Sequence, residues 1–294
     1  QDAGTAKKTT VMKFDGTNWV TVGTAGFSEG EALYTSLAFS SSNEPYVAYQ
    51  DAGNSKKATV MKFDGTNWVA VGTAGFSAGA ASYVSLAFSS SNEPYVAYQD
   101  AGNSNKVTLM KFDGTNWAPV GIPGFSAGQA YYTSLALSSS NEPYVAYRDW
   151  GNSKKATVMK FNGTNWVTVG TAGFSAGTAY YTPLAFSSSN EPYVAYQDGA
   201  NVYKAIVMKF GVSSGISDLD AMNNTIEVYP NPASSMINFS VLTNVQLTSV
   251  TGQIIADKKN ANSLDISDQP AGIYFLTLTD NKGQVVQRSK ILRK

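Results

Sequence analysis

The chain has 294 residues, carries 21 Lys plus Arg against 21 Asp plus Glu, and contains neither Cys nor His. The charge balance leaves no basic field, so neither nucleic acid nor anionic lipid is expected as a partner. Without Cys and His there are no disulfides, no thiolate or imidazole metal ligands and no imidazole-activated nucleophile. We therefore predict no cofactor and no metal. No apolar run reaches the length of a membrane span.

A segment of the form Val-Met-Lys-Phe-Asp-Gly-Thr-Asn-Trp recurs along the first two thirds of the chain. Its copies occupy residues 11–19, 60–68, 109–117 and 158–166, so that successive Trp residues lie 49 positions apart. A fifth copy begins at 207 and stops after 210. Self-similarity at such a period indicates a tandem array of identical supersecondary units.

Each complete unit is predicted to form four strands. In the first unit they cover residues 34–40, 46–50, 58–63 and 68–71, and the last two flank the turn Asp64-Gly65. Pro45 can stand only at the start of the second strand, and a Gly-rich connection at 72–82 leads to the next unit.

Four short strands in a repeat of this length are typical of a β-propeller blade. The predicted strands are apolar on both faces, as sheets packed face to face require. A β-solenoid is the alternative architecture.

The repeat array begins in the middle of a unit. Residues 9–14 and 19–22 form a predicted hairpin around Asp15-Gly16. Since the chain opens at Gln1 without Met or a signal sequence, we expect a processed chain or a fragment. Two readings of ring closure stay open. In one, the first two strands complete the blade begun by the last ones, which gives four blades; in the other, upstream blades are missing.

The composition changes after residue 210, and we predict β-propeller repeats at 1–210, a linker at 211–225 and a second β-rich unit at 226–294. Strands are predicted in that unit at 226–229, 236–239, 245–249, 253–257, 263–265, 272–279 and 284–292. About seven short strands separated by turns predict a small immunoglobulin-like β-sandwich.

Ordered motifs in this last unit carry a resemblance to a known family. They comprise Val-Tyr-Pro-Asn-Pro-Ala at 228–233, Val-Thr-Gly-Gln at 250–253, Leu-Asp-Ile-Ser at 264–267, Pro-Ala-Gly-Ile-Tyr at 270–274 and a basic end at 290–294. They resemble the C-terminal sorting domain of proteins exported by the type IX secretion system of Bacteroidetes-type bacteria. The residues that match the sorting motif are Tyr229, Pro230, Asn231, Pro232, Gly252, Pro270, Gly272 and Tyr274.

That resemblance implies a cellular location and two partners. The protein is expected to be secreted or held at the outer cell surface. Its partners are expected to be the export machinery and a sortase-like peptidase that cuts in or near 211–225. The repeats are themselves loosely similar to sialidase-like and lectin propellers. Their Asp-Gly-Thr-Asn-Trp turn resembles an Asp-box, which is a folding motif without catalytic meaning.

A second repeated set lies where the second strand of each unit ends. Its candidate ligand-binding residues are Tyr49, Asp51, Tyr98, Asp100, Tyr147, Arg148, Asp149, Trp150, Tyr196 and Asp198. Aromatic rings beside carboxylates suit sugar binding, because the ring covers the apolar face of a pyranose and polar groups take its hydroxyls. The alternative is structural: the Asp side chains bond their own loops and the Tyr side chains fill the blade interface.

The sequence favours a secreted or surface-bound binding and adhesion protein, multivalent, with glycan as the candidate ligand. We predict no enzymatic activity and no catalytic residues, because nearly identical units offer few of the unlike groups that an active site needs. The alternatives are a glycan-cleaving, sialidase-like propeller and a purely structural surface protein. Arg148 with Trp150 is the one cluster that departs notably from the repeat, and neutral drift is the alternative account of it.

Overall fold

The computed structural model describes residues 3–210, 226–280 and 283–294. The chain divides into two compact units, Gln1–Gly211 and Val212–Lys294. The predicted linker at 211–225 lies outside the described residues. In the part of the chain that is described, no helix is both long and apolar enough to cross a membrane.

The first unit contains a hairpin followed by four sheets. The first three repeat the same four strands, whereas in the fourth the first strand is split in two and no strand follows the third among the described residues. The hairpin consists of β1 (Met12–Phe14) and β2 (Trp19–Thr21). Blade 1 contains β3 (Ala32–Phe39), β4 (Pro45–Asp51), β5 (Lys57–Phe63) and β6 (Trp68–Ala70). Blade 2 contains β7 (Ala81–Phe88), β8 (Pro94–Asp100), β9 (Lys106–Phe112) and β10 (Trp117–Pro119). Blade 3 contains β11 (Ala130–Leu137), β12 (Pro143–Asp149), β13 (Lys155–Phe161) and β14 (Trp166–Thr168). Blade 4 contains β15 (Ala179–Tyr180), β16 (Leu184–Phe186), β17 (Pro192–Asp198) and β18 (Lys204–Lys209).

Within blades 1 to 3 the four strands pair antiparallel in chain order. The second strand begins at a proline each time, because a proline at that position removes no hydrogen bond from the ladder. Predicted and observed boundaries differ by two residues at most in blade 1. The all-β fold of repeated four-stranded propeller blades is therefore confirmed.

The blades pack through their faces, and a tryptophan connects each of blades 1 to 3 to the segment that precedes it. The Trp117 indole of blade 2 stacks on Phe76 at a centroid distance of 4.4 Å, and its Nε1 donates to the Val71 carbonyl at 2.8 Å. Trp68 and Trp166 repeat this arrangement with the preceding Phe27 and Phe125. The second strand of blade 2 is buried along its whole length, as a sheet covered on both faces requires.

The first strands of neighbouring blades lie side by side. Backbone N–H groups of Leu86, Leu135 and Leu184 donate to the hydroxyl of the serine one blade earlier, each at 3.0 Å. These bonds hold the innermost strands in a common register.

The array is uncovered at its first blade. Leu37 in blade 1 is 51% exposed, whereas its counterpart Leu86 in blade 2 is 6% exposed. Strands β1 and β2 form a two-stranded sheet and, among the described residues, pair only with each other. Of the two readings of ring closure, the completion of the last blade by the first two strands is not observed among the described residues.

Within its described residues, the second unit contains five strands instead of the predicted seven. They are β19 (Val228–Tyr229), β20 (Met236–Ser249), β21 (Ile254–Asp265), β22 (Gly272–Thr279) and β23 (Val285–Arg293). Two pairs of predicted strands merge into the long β20 and β21, whose pairing contains register shifts instead of turns. All five strands are connected by hydrogen bonds into one sheet. Its core includes Ile237, Leu247 and Leu276.

Candidate functional site

The structure places the predicted Tyr residues inside the blades. Tyr49, Tyr98 and Tyr147 are each no more than 1% exposed, and Tyr196 is buried as well. The Tyr49 and Tyr147 hydroxyls contact the sulfur atoms of Met61 and Met159. Burial, aided by the nearby Asp, raises the pKa of the Tyr49, Tyr98 and Tyr147 hydroxyls above their usual range. These rings pack the interface between blades.

The predicted Asp residues are buried too, and they fasten their own loops. Asp100 accepts hydrogen bonds from Gly102 N at 3.0 Å, Asn103 Nδ2 at 2.8 Å and Thr108 Oγ1 at 3.1 Å. Asp51 and Asp149 accept the same three bonds in their own blades. Asp198 accepts the first two, because Ile206 replaces the threonine. A short 3-10 turn follows each Asp, with the Asp side chain as its N-cap. Of the predicted ligand-binding set, Arg148 and Trp150 alone are not buried.

A row of four other tyrosines lies along the first strands, one in each blade. We name Tyr34, Tyr83, Tyr132 and Tyr181 the tyrosine row. The centroids of consecutive rings are 4.8, 5.1 and 4.9 Å apart. The two end rings are exposed, and the two middle rings are half-buried. The row is continuous across all four blades and open to solvent.

The backbone of every tyrosine in the row is strained. Their φ angles are +51°, +52°, +55° and +52°, in the left-handed region that a bulky side chain rarely adopts. In blades 1 to 3 each one sits in a register shift of the first strand, and such bulges re-aim side chains. Strain of this kind persists only where the surroundings enforce it, and it concentrates at functional sites.

Threonine hydroxyls help to hold the row in place. Thr133 Oγ1 donates to the carbonyl of Tyr83, and Thr182 Oγ1 donates to that of Tyr132. Partial burial, with smaller contributions from Tyr34 and Tyr132, raises the pKa of the Tyr83 hydroxyl. That hydroxyl stays protonated at neutral pH and can donate a hydrogen bond to a ligand.

Sequence reasoning did not identify the row. Its members were assigned to ordinary strand positions, since composition carries no indication of a positive φ at Tyr. The available signal was the period itself, because all four units have Tyr at this position. No group of three or more acidic residues that could hold a metal ion occurs within the described ranges.

In the second unit the sorting-motif residues hold the C-terminal strand. Asn231 Nδ2 donates to the Lys290 carbonyl at 2.7 Å, and Asn231 Oδ1 accepts from Leu292 N at 3.0 Å. The Tyr274 hydroxyl donates to the Pro270 carbonyl at 2.8 Å. Gly252 has a φ of +84° in the turn after β20, and Tyr229 is exposed. The remaining members are Pro230, Pro232 and Gly272.

Comparison with known proteins gives a family for the second unit. Residues 227–292 match the family described as secretion system C-terminal sorting domain. Among curated proteins, none is significantly similar in sequence to the chain.

Several solved structures share a general likeness with the chain. A protein of unknown function from Dyadobacter fermentans is 11% identical with a TM-score of 0.45, and the match covers 97% of this chain and 83% of that one. An α-L-arabinanase from Penicillium chrysogenum is 11% identical with a TM-score of 0.42, covering 89% and 93%. A fucose lectin from Kordia zhangzhouensis is 13% identical with a TM-score of 0.35, covering 47% and 99%. Likenesses this distant carry no information about ligand or activity.

The family match and the motif geometry together determine the address. Because this domain is read by the export machinery, its presence marks the chain as a substrate of that machinery. The chain carries a type IX secretion system C-terminal sorting domain behind its propeller blades, and the protein is secreted or attached at the outer cell surface.

Proposed function

We propose that the exported protein is a non-enzymatic binding module whose blades hold a glycan through the tyrosine row. The observation that carries the proposal is the strained, regularly spaced alignment of Tyr34, Tyr83, Tyr132 and Tyr181. A tyrosine offers an apolar ring face to a sugar and a hydroxyl to its polar edge. Rings about 5 Å apart present that pair of groups once in every blade.

Multivalency follows from the repeat. Each blade contributes one tyrosine in the same conformation, so a chain-like ligand can contact several of them together. Contacts that are weak one by one gain avidity when a rigid scaffold presents them at fixed spacing. This suits a surface protein that meets polymeric glycans.

The arrangement of the carboxylates supports a binding role over a catalytic one. Glycoside hydrolysis needs two carboxyl groups that flank the scissile bond. The repeated Asp side chains are instead buried in loop hydrogen bonds, as Asp100 and Asp149 illustrate. A screen of fluorogenic glycosides with the full-length chain tests this part of the proposal, and release of fluorophore above the level of a heat-denatured sample would refute it.

A glycan array probed with the labelled full-length chain tests the binding role. We expect binding to one class of glycan, and we expect the double variant Tyr83→Gly with Tyr132→Gly to lose it. Glycine adopts the left-handed backbone without strain, so the variant retains its fold. The control is Val202→Gly, because Val202 also has a positive φ, of 52°, and an exposed side chain but lies outside the row. Equal binding by the double variant, or no glycan bound by the wild type, would refute the proposal.

A further inference from the structure

Blade 3 differs from the other blades at one position that faces its neighbour. Arg148 stands where blades 1, 2 and 4 have Gln50, Gln99 and Gln197. The Gln50 amide donates to the Ala81 carbonyl of the next blade at 2.7 Å and contacts Ser82 Oγ at 3.3 Å. Arginine in this position therefore replaces a neutral connection between blades by a positive charge.

The guanidinium of Arg148 lies among three tyrosine rings. Its central carbon is 4.5 Å from the ring centroid of Tyr131, 4.9 Å from that of Tyr132 and 5.2 Å from that of Tyr180. The Nε atom is buried and has no hydrogen-bond partner in the described part of the chain. Buried polar atoms are normally paired, so this arginine has hydrogen-bonding capacity that the protein itself does not use.

Trp150 is a second departure from the repeat, and it lies close to Arg148. Trp150 replaces Ala52, Ala101 and Gly199 of the other units. Its ring is 48% exposed and lies 5.8 Å from the Tyr131 ring, which in turn covers Arg148. Arg148 and Trp150 are two positions apart, and Tyr131 is the register partner of Arg148 in β11, so the three side chains lie together at one end of β12. The observation that argues for a site is that a guanidinium, an exposed indole and a tyrosine ring meet there.

Lys154 brings a second positive charge close to Trp150. Lys154 Nζ lies 4.2 Å from the centroid of the Trp150 ring. Within the described ranges every ion pair joins a Lys to a Glu elsewhere in the chain, and neither Arg148 nor Lys154 takes part in one. We name Arg148, Trp150, Lys154, Tyr131, Tyr132 and Tyr180 the cationic cluster.

We propose that the cationic cluster binds an acidic sugar, one whose ring carries a carboxylate or a sulfate. A guanidinium pairs with either anion through parallel N–H donors, and the exposed Trp150 face covers an apolar pyranose face. This rests on the proposed glycan-binding function and deepens it: Tyr132 belongs to both the row and the cluster, so one bound glycan can reach both. The cluster sets the preference for charge, and the row supplies contacts that neutral sugars share.

The test is a calorimetric titration of the full-length chain with paired ligands. One pair is a galacturonic acid tetramer and its methyl ester, and the other is a sulfated galactan fragment and its desulfated form. In at least one pair we expect the acid to bind about tenfold more tightly than its neutral partner, as a charge-assisted hydrogen bond implies. Raising the salt concentration from about 50 mM to about 500 mM should weaken binding of the acidic ligand and leave binding of its neutral partner unchanged.

Variants built from the chain's own repeat make the test specific. Arg148→Gln installs the residue of the other three blades, so the fold is kept, and the acid and neutral forms should then bind alike. Trp150→Ala, the residue of two other blades, should weaken both forms. The graft Gln99→Arg with Ala101→Trp and Ser82→Tyr should give blade 2 a second acid-preferring site.

The outcomes separate the two proposals. If acid and neutral forms bind the wild type equally, or if Arg148→Gln keeps the preference, the acidic-sugar inference is wrong while the binding function stands. If no member of either pair binds and the glycan array is also blank, both proposals fail. If the array shows binding to neutral glycans only, the inference fails alone.

Discussion

The tryptophan that connects one blade to the preceding blade allows a direct test of how the array is held together. Trp117→Ala removes the stack on Phe76, the bond from Nε1 to the Val71 carbonyl and the contact with Phe112. An aromatic pair contributes about 0.5–1.5 kcal/mol and a hydrogen bond about 1 kcal/mol. Adding the lost burial of a large ring, we expect the free energy of unfolding to fall by about 2–4 kcal/mol.

The chain supplies its own control for this substitution. Trp19 occupies the same turn in the N-terminal hairpin, yet it is 67% exposed and its ring contact is with Phe14 of the same hairpin. Trp19→Ala should therefore change the free energy of unfolding by less than about 0.5 kcal/mol. A third variant, Trp117→Phe, keeps a ring on Phe76 but leaves the Val71 carbonyl unpaired, and it should cost about 1–2 kcal/mol.

Urea unfolding followed by circular dichroism measures the free energy of unfolding of the three variants. Hydrogen exchange should show lost protection on both sides of the interface between blades 1 and 2. The reasoning is refuted if Trp19→Ala destabilises as much as Trp117→Ala, or if Trp117→Ala leaves the urea midpoint unchanged. Either result would mean that the repeated indole does not carry the blade interface.

Three further sets of substitutions test the loops, the acid response and the sorting unit. Asp100→Asn should lower the free energy of unfolding by about 2–3 kcal/mol, because a buried acceptor of four hydrogen bonds loses its charge. Asp113→Asn should change the urea midpoint little, since Asn162 already accepts the same two backbone bonds in blade 3; a large loss would contradict this. Backbone N–H groups lower the pKa of Asp15, Asp64 and Asp113. Their stabilisation is present above the unfolded pKa of about 3.9 and is lost as the pH falls through the lower folded value. Melting temperature against pH should thus fall less steeply below about pH 4 when all three are Asn, and an unchanged slope would speak against it. Asn231→Ala should destabilise the sorting unit by about 1–2 kcal/mol and reduce the exported amount. Asn231→Asp keeps the acceptor for Leu292 N, so its free energy of unfolding should fall by less. Normal export of an Asn231→Ala protein would argue against a role for this contact.

The blade architecture is readable from the sequence because period, turn chemistry and two-faced strands agree. Pro45, the turn at Asp64 and the conserved spacing of Trp each place one strand boundary. The address is readable for a different reason, since the sorting motifs are contiguous and ordered. In the second unit the prediction of seven strands was wrong. The residues at the register shifts within β20 are of types that also occur in turns, so one long strand was divided in two.

The site is less readable, for physical reasons. Tyr98 and Asp100 are residue types that sugar sites use, but their strand is covered on both faces, so both side chains are buried. The tyrosine row depends on a left-handed backbone at Tyr83 and Tyr132, which local sequence disfavours and which occurs at a register shift of the first strand. The contact of Tyr131 with Arg148 and Trp150 is likewise invisible until β11 is paired with β12.

The central claim is that the exported protein binds its ligand along the tyrosine row. Its most direct test is calorimetric titration of the wild type and of the variant Tyr83→Gly with Tyr132→Gly, each as the full-length chain, with the strongest glycan from the array. The account predicts measurable heat for the wild type and none for the variant, while both unfold at similar urea concentrations. Equal affinity of a folded variant would show that the ligand is held elsewhere.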